Sequence, residues 1–291
     1  MRCHYLALSI SVFIISIGYA VPLRSTVSPF KFLPELNEPD WDLLIFTQQW
    51  PVTVCREWKD HDSNHKCSMP DNPNAWTIHG IWPTKLHTMG PSFCNKTWHF
   101  DPNLIQPIEK ELNSNWKNIE SETSTYALWA HEWLKHGTCA AVLDAFNSEL
   151  KYFSKGLEWF KRYNIQTTLE SRQVYPSNDK KYLVKDLFNI ISMHYKVTPM
   201  IECRREHGKN WLSEIRFCLD KNLELKDCDG VMNMRTQTIA YMNGFHTKVL
   251  TNCIIDEPIL YPKSEDAFQH NNNDLYVQFY LLISWLQWFT F

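Results

Sequence analysis

The segment His131-Glu132-Trp133-Leu134-Lys135-His136-Gly137-Thr138-Cys139 gathers two imidazoles, a carboxylate, an ammonium and a thiol into nine residues. On a helix turning about 100° per residue, Glu132 lies over His136 and His131 over Lys135. These four groups then fall within an arc of about 140°, and Trp133 and Leu134 are left for a core. Two imidazoles that titrate near neutrality suit paired proton transfer. The rival chemistry is a zinc site. A zinc helix spaces its histidines four apart so that both reach one ion. Here the spacing is five, which sends His131 and His136 to opposite edges of the arc, and Lys135 would set a positive charge beside the cation. The segment therefore reads as a metal-free site.

A second imidazole-bearing stretch is Ala75-Trp76-Thr77-Ile78-His79-Gly80-Ile81-Trp82-Pro83, a strand that proline stops. Period-two alternation puts Trp76, Ile78 and Trp82 on one face and Thr77, His79 and Ile81 on the other. A lone strand histidine is more often structural, so His79 gains weight only with a partner. Trp82 reads two ways, as a platform for a base or as core packing.

The elements that must position these groups follow from patterning. Tyr126-Ala127-Leu128-Trp129-Ala130 leads into the motif helix, and Gly137 sits where a helix end favours a left-handed residue. Trp41 to Pro51 reads as a core strand ended by proline, and Cys55 to Pro73 as a polar loop. Residues 101 or 102 to 112, Ala140 to Tyr163 and Leu183 to Tyr195 read as helices. Pro199 to Cys203, Trp211 to Leu219 and Val231 to Ile239 alternate as strands. Helices and strands are interspersed without a β-α-β period or internal repeat. This predicts an α+β fold, a mainly antiparallel sheet flanked by helices in a single domain.

Of the 291 residues, 44% are hydrophobic and 14% aromatic, which excludes a disordered chain, and most of the thirteen tryptophans are expected in a large core. Residues 1–20 have the form of a secretory signal: Arg2, an apolar run from Leu6 to Ile17, then Gly18-Tyr19-Ala20 for cleavage. Residues 21–40 read as an extended lead-in. Setting aside Cys3 of the leader, the nine cysteines become an even eight without any C-x-x-C pair, the mark of four disulfides in an oxidising compartment. The formal charge of −3 comes without a basic stripe, and the abundant histidines turn the balance positive in an acid compartment. Asn95-Lys96-Thr97 is a glycosylation sequon. From Leu275 to Phe291 no residue is charged. A helix there is short for a bilayer, so this end reads as an atypical hydrophobic tail rather than a membrane anchor.

Together, the His79 and His131–Cys139 segments resemble the two active-site segments of the T-two family of secreted acid ribonucleases, whose members include lysosomal, fungal and plant self-incompatibility enzymes. Phe46-Thr47-Gln48-Gln49-Trp50-Pro51, the signal peptide and the cysteine order support the resemblance. It covers about residues 41–262 and leaves 263–291 without a counterpart. It implies the pairs Cys55–Cys67, Cys94–Cys139, Cys203–Cys253 and Cys218–Cys228. It also implies His136 as base, His79 as acid and His131 as phosphate holder, with Glu132 and Lys135 stabilising the transition state. The substrate would be single-stranded RNA, not DNA, cleaved through a 2′,3′-cyclic phosphate by a monomer without cofactor or metal, secreted or in the endolysosomal lumen. A secreted binding or signalling protein on the same fold is the other reading. Many relatives carry Asp after the Trp-Pro pair, whereas this chain has Thr84, which leaves base preference open.

Overall fold

The computed structural model describes residues 39–264, apart from 122, 207, 233–237 and 243–246. The expected leader (1–20), nearly all of the lead-in (21–40) and the tail beyond Ser264 lie outside the described residues, as does most of the expected 231–239 strand. Among the described residues no helix is long and apolar enough to cross a membrane.

The fold is α+β, as expected. Strand β1 (Leu43–Gln49) lies between β2 (Thr77–Thr84) and β5 (Lys209–Leu219), antiparallel to both. The sheet continues from β5 to β4 (Met200–Glu206), β8 (Thr247–Thr251) and β7 (Thr238–Met242) in the order β2-β1-β5-β4-β8-β7. Only β4–β8 and β5–β9 (Ile259–Leu260) pair in parallel among the described strands. Short strands β3 (Lys181–Tyr182) and β6 (Leu225–Lys226) add to β9 and β5. All seven residues of β1 are buried, the signature of a strand covered on both faces.

Short helices α2 (Pro102–Ile105) and α3 (Glu109–Asn115) pack on α6 (Glu149–Arg162), which with α7 (Ile165–Glu170) and α8 (Val184–Tyr195) covers one face of the sheet. Trp159 packs edge-on against Phe46, with ring centroids 5.7 Å apart, and Tyr195 packs against Phe217 at 4.9 Å. The tryptophan-rich core is as anticipated: Trp41, Trp50, Trp76, Trp116, Trp129, Trp133 and Trp159 are buried. A buried indole N–H needs an acceptor. Trp41 donates to Cys139 O, Trp50 to Pro262 O and Trp76 to the Tyr261 hydroxyl, so these core rings also tie distant chain segments together. The four disulfides pair as the resemblance implied, 55–67, 94–139, 203–253 and 218–228.

Three local expectations are corrected. Pro51 does not merely end a strand; it opens helix α1 (Pro51–His61) from its first turn, where a missing N–H costs nothing. The anticipated loop thus begins only at Asp62. Pro83 does not stop β2, which runs through to Thr84; β2 is the edge strand, and an edge tolerates a residue without a donor. The helix expected from Ala140 starts at Glu149. Ser148 caps it by accepting from Lys151 N at 3.3 Å, and Leu143 and Phe146 reach the core from turns.

Candidate active site

The motif segment is one continuous helical run with a wide turn inside it. Helix α4 (Ala127–Glu132) passes into a π-helical turn (Trp133–Gly137) and then into α5 (Thr138–Ala140), and Thr138 N donates to Trp133 O five residues back. Such turns recur at functional sites. The five-residue spacing therefore does not separate the two histidines: His131 and His136 have ring centroids 6.4 Å apart. Gly137 is not a left-handed stop. Its φ is −58°, and a Cβ there would strike the buried Trp133 ring, so the glycine serves close packing. On the solvent side Phe93, held at φ 54°, donates its N–H to Lys135 O at 2.9 Å and turns its ring toward His131 at 6.5 Å. The adjacent Cys94–Cys139 bridge ties that loop to α5.

His79 reaches the same place from β2 by a different device. Thr47 pairs with Gly80, but Gln48 pairs with Ile78, so His79 is the extra residue of a β-bulge. The bulge shifts the alternation by one. Ile78 and Ile81 both enter the helix-side core, while His79 and Trp82, expected on opposite faces, meet with ring centroids 5.0 Å apart. Trp116 Nε1 donates to His79 O at 2.8 Å and fixes the bulged backbone. Gly80 is required by contact, because a Cβ there would collide with the Glu132 carboxylate and the Trp82 indole.

Trp82 is the meeting point. His136 lies on it at 5.6 Å, and its Nε1 donates to Glu132 Oε2 at 2.9 Å. The indole is half-buried and so available to neither solvent nor core alone. Strand β5 supplies groups that patterning missed. Glu214 accepts from His79 Nδ1 at 2.7 Å, and Arg216 pairs with Glu214 and with Glu202, its guanidinium lying 5.0 Å from the Trp82 ring. The available signal was two charges two apart, Glu214 and Arg216, in the mainly apolar run Trp211–Leu219.

The electrostatics divide the histidines. Burial opposes charge on His79, but Glu214 outweighs it and raises the ring above its ordinary 6.5. Burial pushes His136 well below that value, helped by Lys135, His131 and His79. His131 is lowered by partial desolvation and then by Lys135 and His79. Glu132, only 1% exposed, is raised by burial to about 7 despite the pull of His79, the Trp82 N–H and Lys135. Charge is thus favoured on His79 and disfavoured on His136, His131 and the Glu132 carboxyl, a division that separates an acid from a base. Nδ1 of His136 is buried without a partner among the described residues, and Nδ1 of His79 is engaged, so Nε2 is the available nitrogen of each ring.

Residues 41–228 match the model of the Ribonuclease T2 family. Ribonuclease Oy of Magallana gigas is 38% identical over 194 residues, 65% of this chain and 88% of that protein. Among solved structures, human RNase T2 is 29% identical with a TM-score of 0.57, over 76% of this chain and 98% of that one. RNase NT, solved with 5′-AMP, is 25% identical with a TM-score of 0.59, over 77% and 98%.

Proposed function

Because the chain belongs to the Ribonuclease T2 family and is an endoribonuclease, we propose that it cleaves single-stranded RNA by transesterification between His136 and His79. His136 Nε2 takes the proton of the ribose 2′-OH, and the freed oxygen attacks the adjacent phosphorus. The P–O5′ bond breaks, and His79 Nε2 gives its proton to the leaving 5′-oxygen. The products are a 2′,3′-cyclic phosphate and a 5′-hydroxyl; water then opens the ring to a 3′-phosphate with the proton roles reversed. His131 holds the phosphate, and Glu132 with Lys135 stabilises the phosphorane. Trp82, half-buried beside both imidazoles, closes one side of the site and is the ring on which a base would stack.

One observation carries this reading: two imidazoles packed on a single indole and biased to opposite protonation states. The pairing favours mildly acid conditions, which suits a secreted or endolysosomal enzyme, as do the four disulfides. Asn95 is exposed and its Oδ1 accepts from Thr97 N and Oγ1 at 3.0 and 2.8 Å, a turn suited to a glycan acceptor. Thr84 is buried at the end of β2 and offers a base little to read, so base choice falls to other groups.

The test is cleavage of matched RNA and DNA oligonucleotides in EDTA at pH 5. RNA is expected to be cut at its chelator-free rate and DNA left whole, since DNA lacks the nucleophile. Cutting of both, or loss of RNA cleavage in EDTA, overturns the mechanism.

A further inference from the structure

His79 rests on a buried charge cluster that the proposed reaction has not yet used. Glu202 and Glu214 stand directly opposite across β4 and β5, on the sheet face that carries His79 and Trp82. Two carboxylates so placed repel, and both side chains are nearly excluded from water, at 4% and 12% exposure. Arg216 resolves the conflict. Its Nη1 lies 3.1 Å from Glu202 Oε1, and its Nε and Nη2 donate to Glu214 Oε2 at 3.0 and 2.5 Å. One carboxylate oxygen of Glu214 is thereby committed to the guanidinium, and Oε1 alone is presented to His79 Nδ1.

We propose that Glu214, clamped by Arg216 against Glu202, is a positioning residue that fixes the ring orientation and tautomer of His79, so that Nε2 faces the leaving oxygen. The inference rests on the assignment of His79 as the acid. A carboxylate on Nδ1–H leaves the far nitrogen to carry the mobile proton and stabilises the imidazolium. The other charged groups facing His79 do not supply this. Glu132 lies above it on α4 with its Oε2 held by Trp82, Arg216 repels the ring charge, and His131 and His136 are imidazoles themselves. Arg216 also lies under the Trp82 ring that anchors Glu132, so one guanidinium supports both the strand and the helix halves of the site. Glu214 itself is held low: burial raises it, but Arg216 and His79 together prevail.

The test reads His79 directly and then through turnover. Histidine-labelled wild-type protein should show, by nitrogen NMR, a neutral His79 protonated at Nδ1 and a titration above that of a free imidazole. A neutral His79 protonated at Nε2, or a midpoint below the free value, overturns the proposal with no variant needed. Glu214→Gln keeps Arg216 paired to Glu202 and removes the charge beside His79. Its His79 midpoint should fall by about 1 to 3 pH units, and the alkaline limb of kcat/KM should fall with it while the acid limb stays. Glu214→Asp should recover part of that shift. A rate reduced equally at every pH, with both limbs fixed, would mean a merely structural role and overturn the proposal. A wild type that shows the NMR signature yet cuts no RNA would count against the proposed function and not against this pairing.

Discussion

Replacing His136 or His79 by alanine is expected to lower kcat/KM on RNA by about 10²- to 10⁴-fold each, the range that one positioned proton-transfer group supplies. Both substitutions should leave the fold unchanged. His79 is about one-third exposed on a bulge whose backbone Trp116 holds, and removing its ring leaves Glu214 paired to Arg216. His136 is half-buried in a turn closed by backbone bonds and by Trp133 packing on Gly137. The two losses should not add. Acid and base act in one step, so the double variant should cost little more than the worse single one. The two variants should also differ in pH dependence. His136→Ala should lose the acid limb, because the group that must be neutral has gone, and His79→Ala the alkaline limb. Initial rates on a dinucleotide across pH, with near-ultraviolet circular dichroism on each protein, make the comparison. An alanine variant with wild-type turnover would strike that imidazole from the mechanism.

Glu132 should show the second large effect, and its size should depend on what replaces it. The carboxyl is buried, one oxygen accepts from Trp82 Nε1, and its pKa is pushed up to about 7. A raised carboxyl keeps its proton as pH falls below that value, so at pH 5 Glu132 is neutral and its second oxygen can donate toward a phosphoryl oxygen. Glu132→Ala removes that donor and leaves the Trp82 N–H without its acceptor. A loss of about 10²- to 10³-fold is expected, as for other preorganised donors to a developing oxyanion. Glu132→Gln preserves both functions, with an amide oxygen for Trp82 and an N–H for the phosphate, and should retain most of the rate at pH 5. Equal losses for the two variants at pH 5 would show that Glu132 acts through its negative charge instead.

The sequence carried the chemistry further than it carried the geometry. The nine-residue motif, the His79 strand and the cysteine order were legible because they are local and chemically specific. Residue types along β4, β5 and α8 also declared those elements, since burial imposes period two on strands and period 3.6 on helices. What stayed hidden depended on partners distant in the chain. The bulge at His79 is a mismatch between β1 and β2, visible only once Gln48 has skipped to Ile78; it turns His79 and Trp82 to one side. The π-helical turn is local but leaves no mark in the residue pattern, and the Trp133 ring lies against Gly137, so a glycine that reads as a helix stop is instead a packing contact. Glu214 and Arg216 looked like ordinary charges on a strand. Their meaning depends on Glu202 opposite and on His79 two strands away.

These displacements share a direction. Both irregularities, one in a strand and one in a helix, bring an imidazole toward the same indole. Regular elements would have left His79 facing away from Trp82 and His131 apart from His136. The surroundings hold both irregularities in place: Trp116 on the bulge, Tyr152 on the Ile81 backbone and the Cys94–Cys139 bridge beside the wide turn.

The most direct test is the time course of products from a single dinucleotide at pH 5 in EDTA. Two imidazoles serving one 2′-oxygen attack require the 2′,3′-cyclic phosphate to appear first and to decay into the 3′-phosphate, with a 2′-deoxy analogue left uncut. Direct release of a 3′-phosphate without the cyclic species, release of a 5′-phosphate, or cleavage of the deoxy analogue would contradict the account.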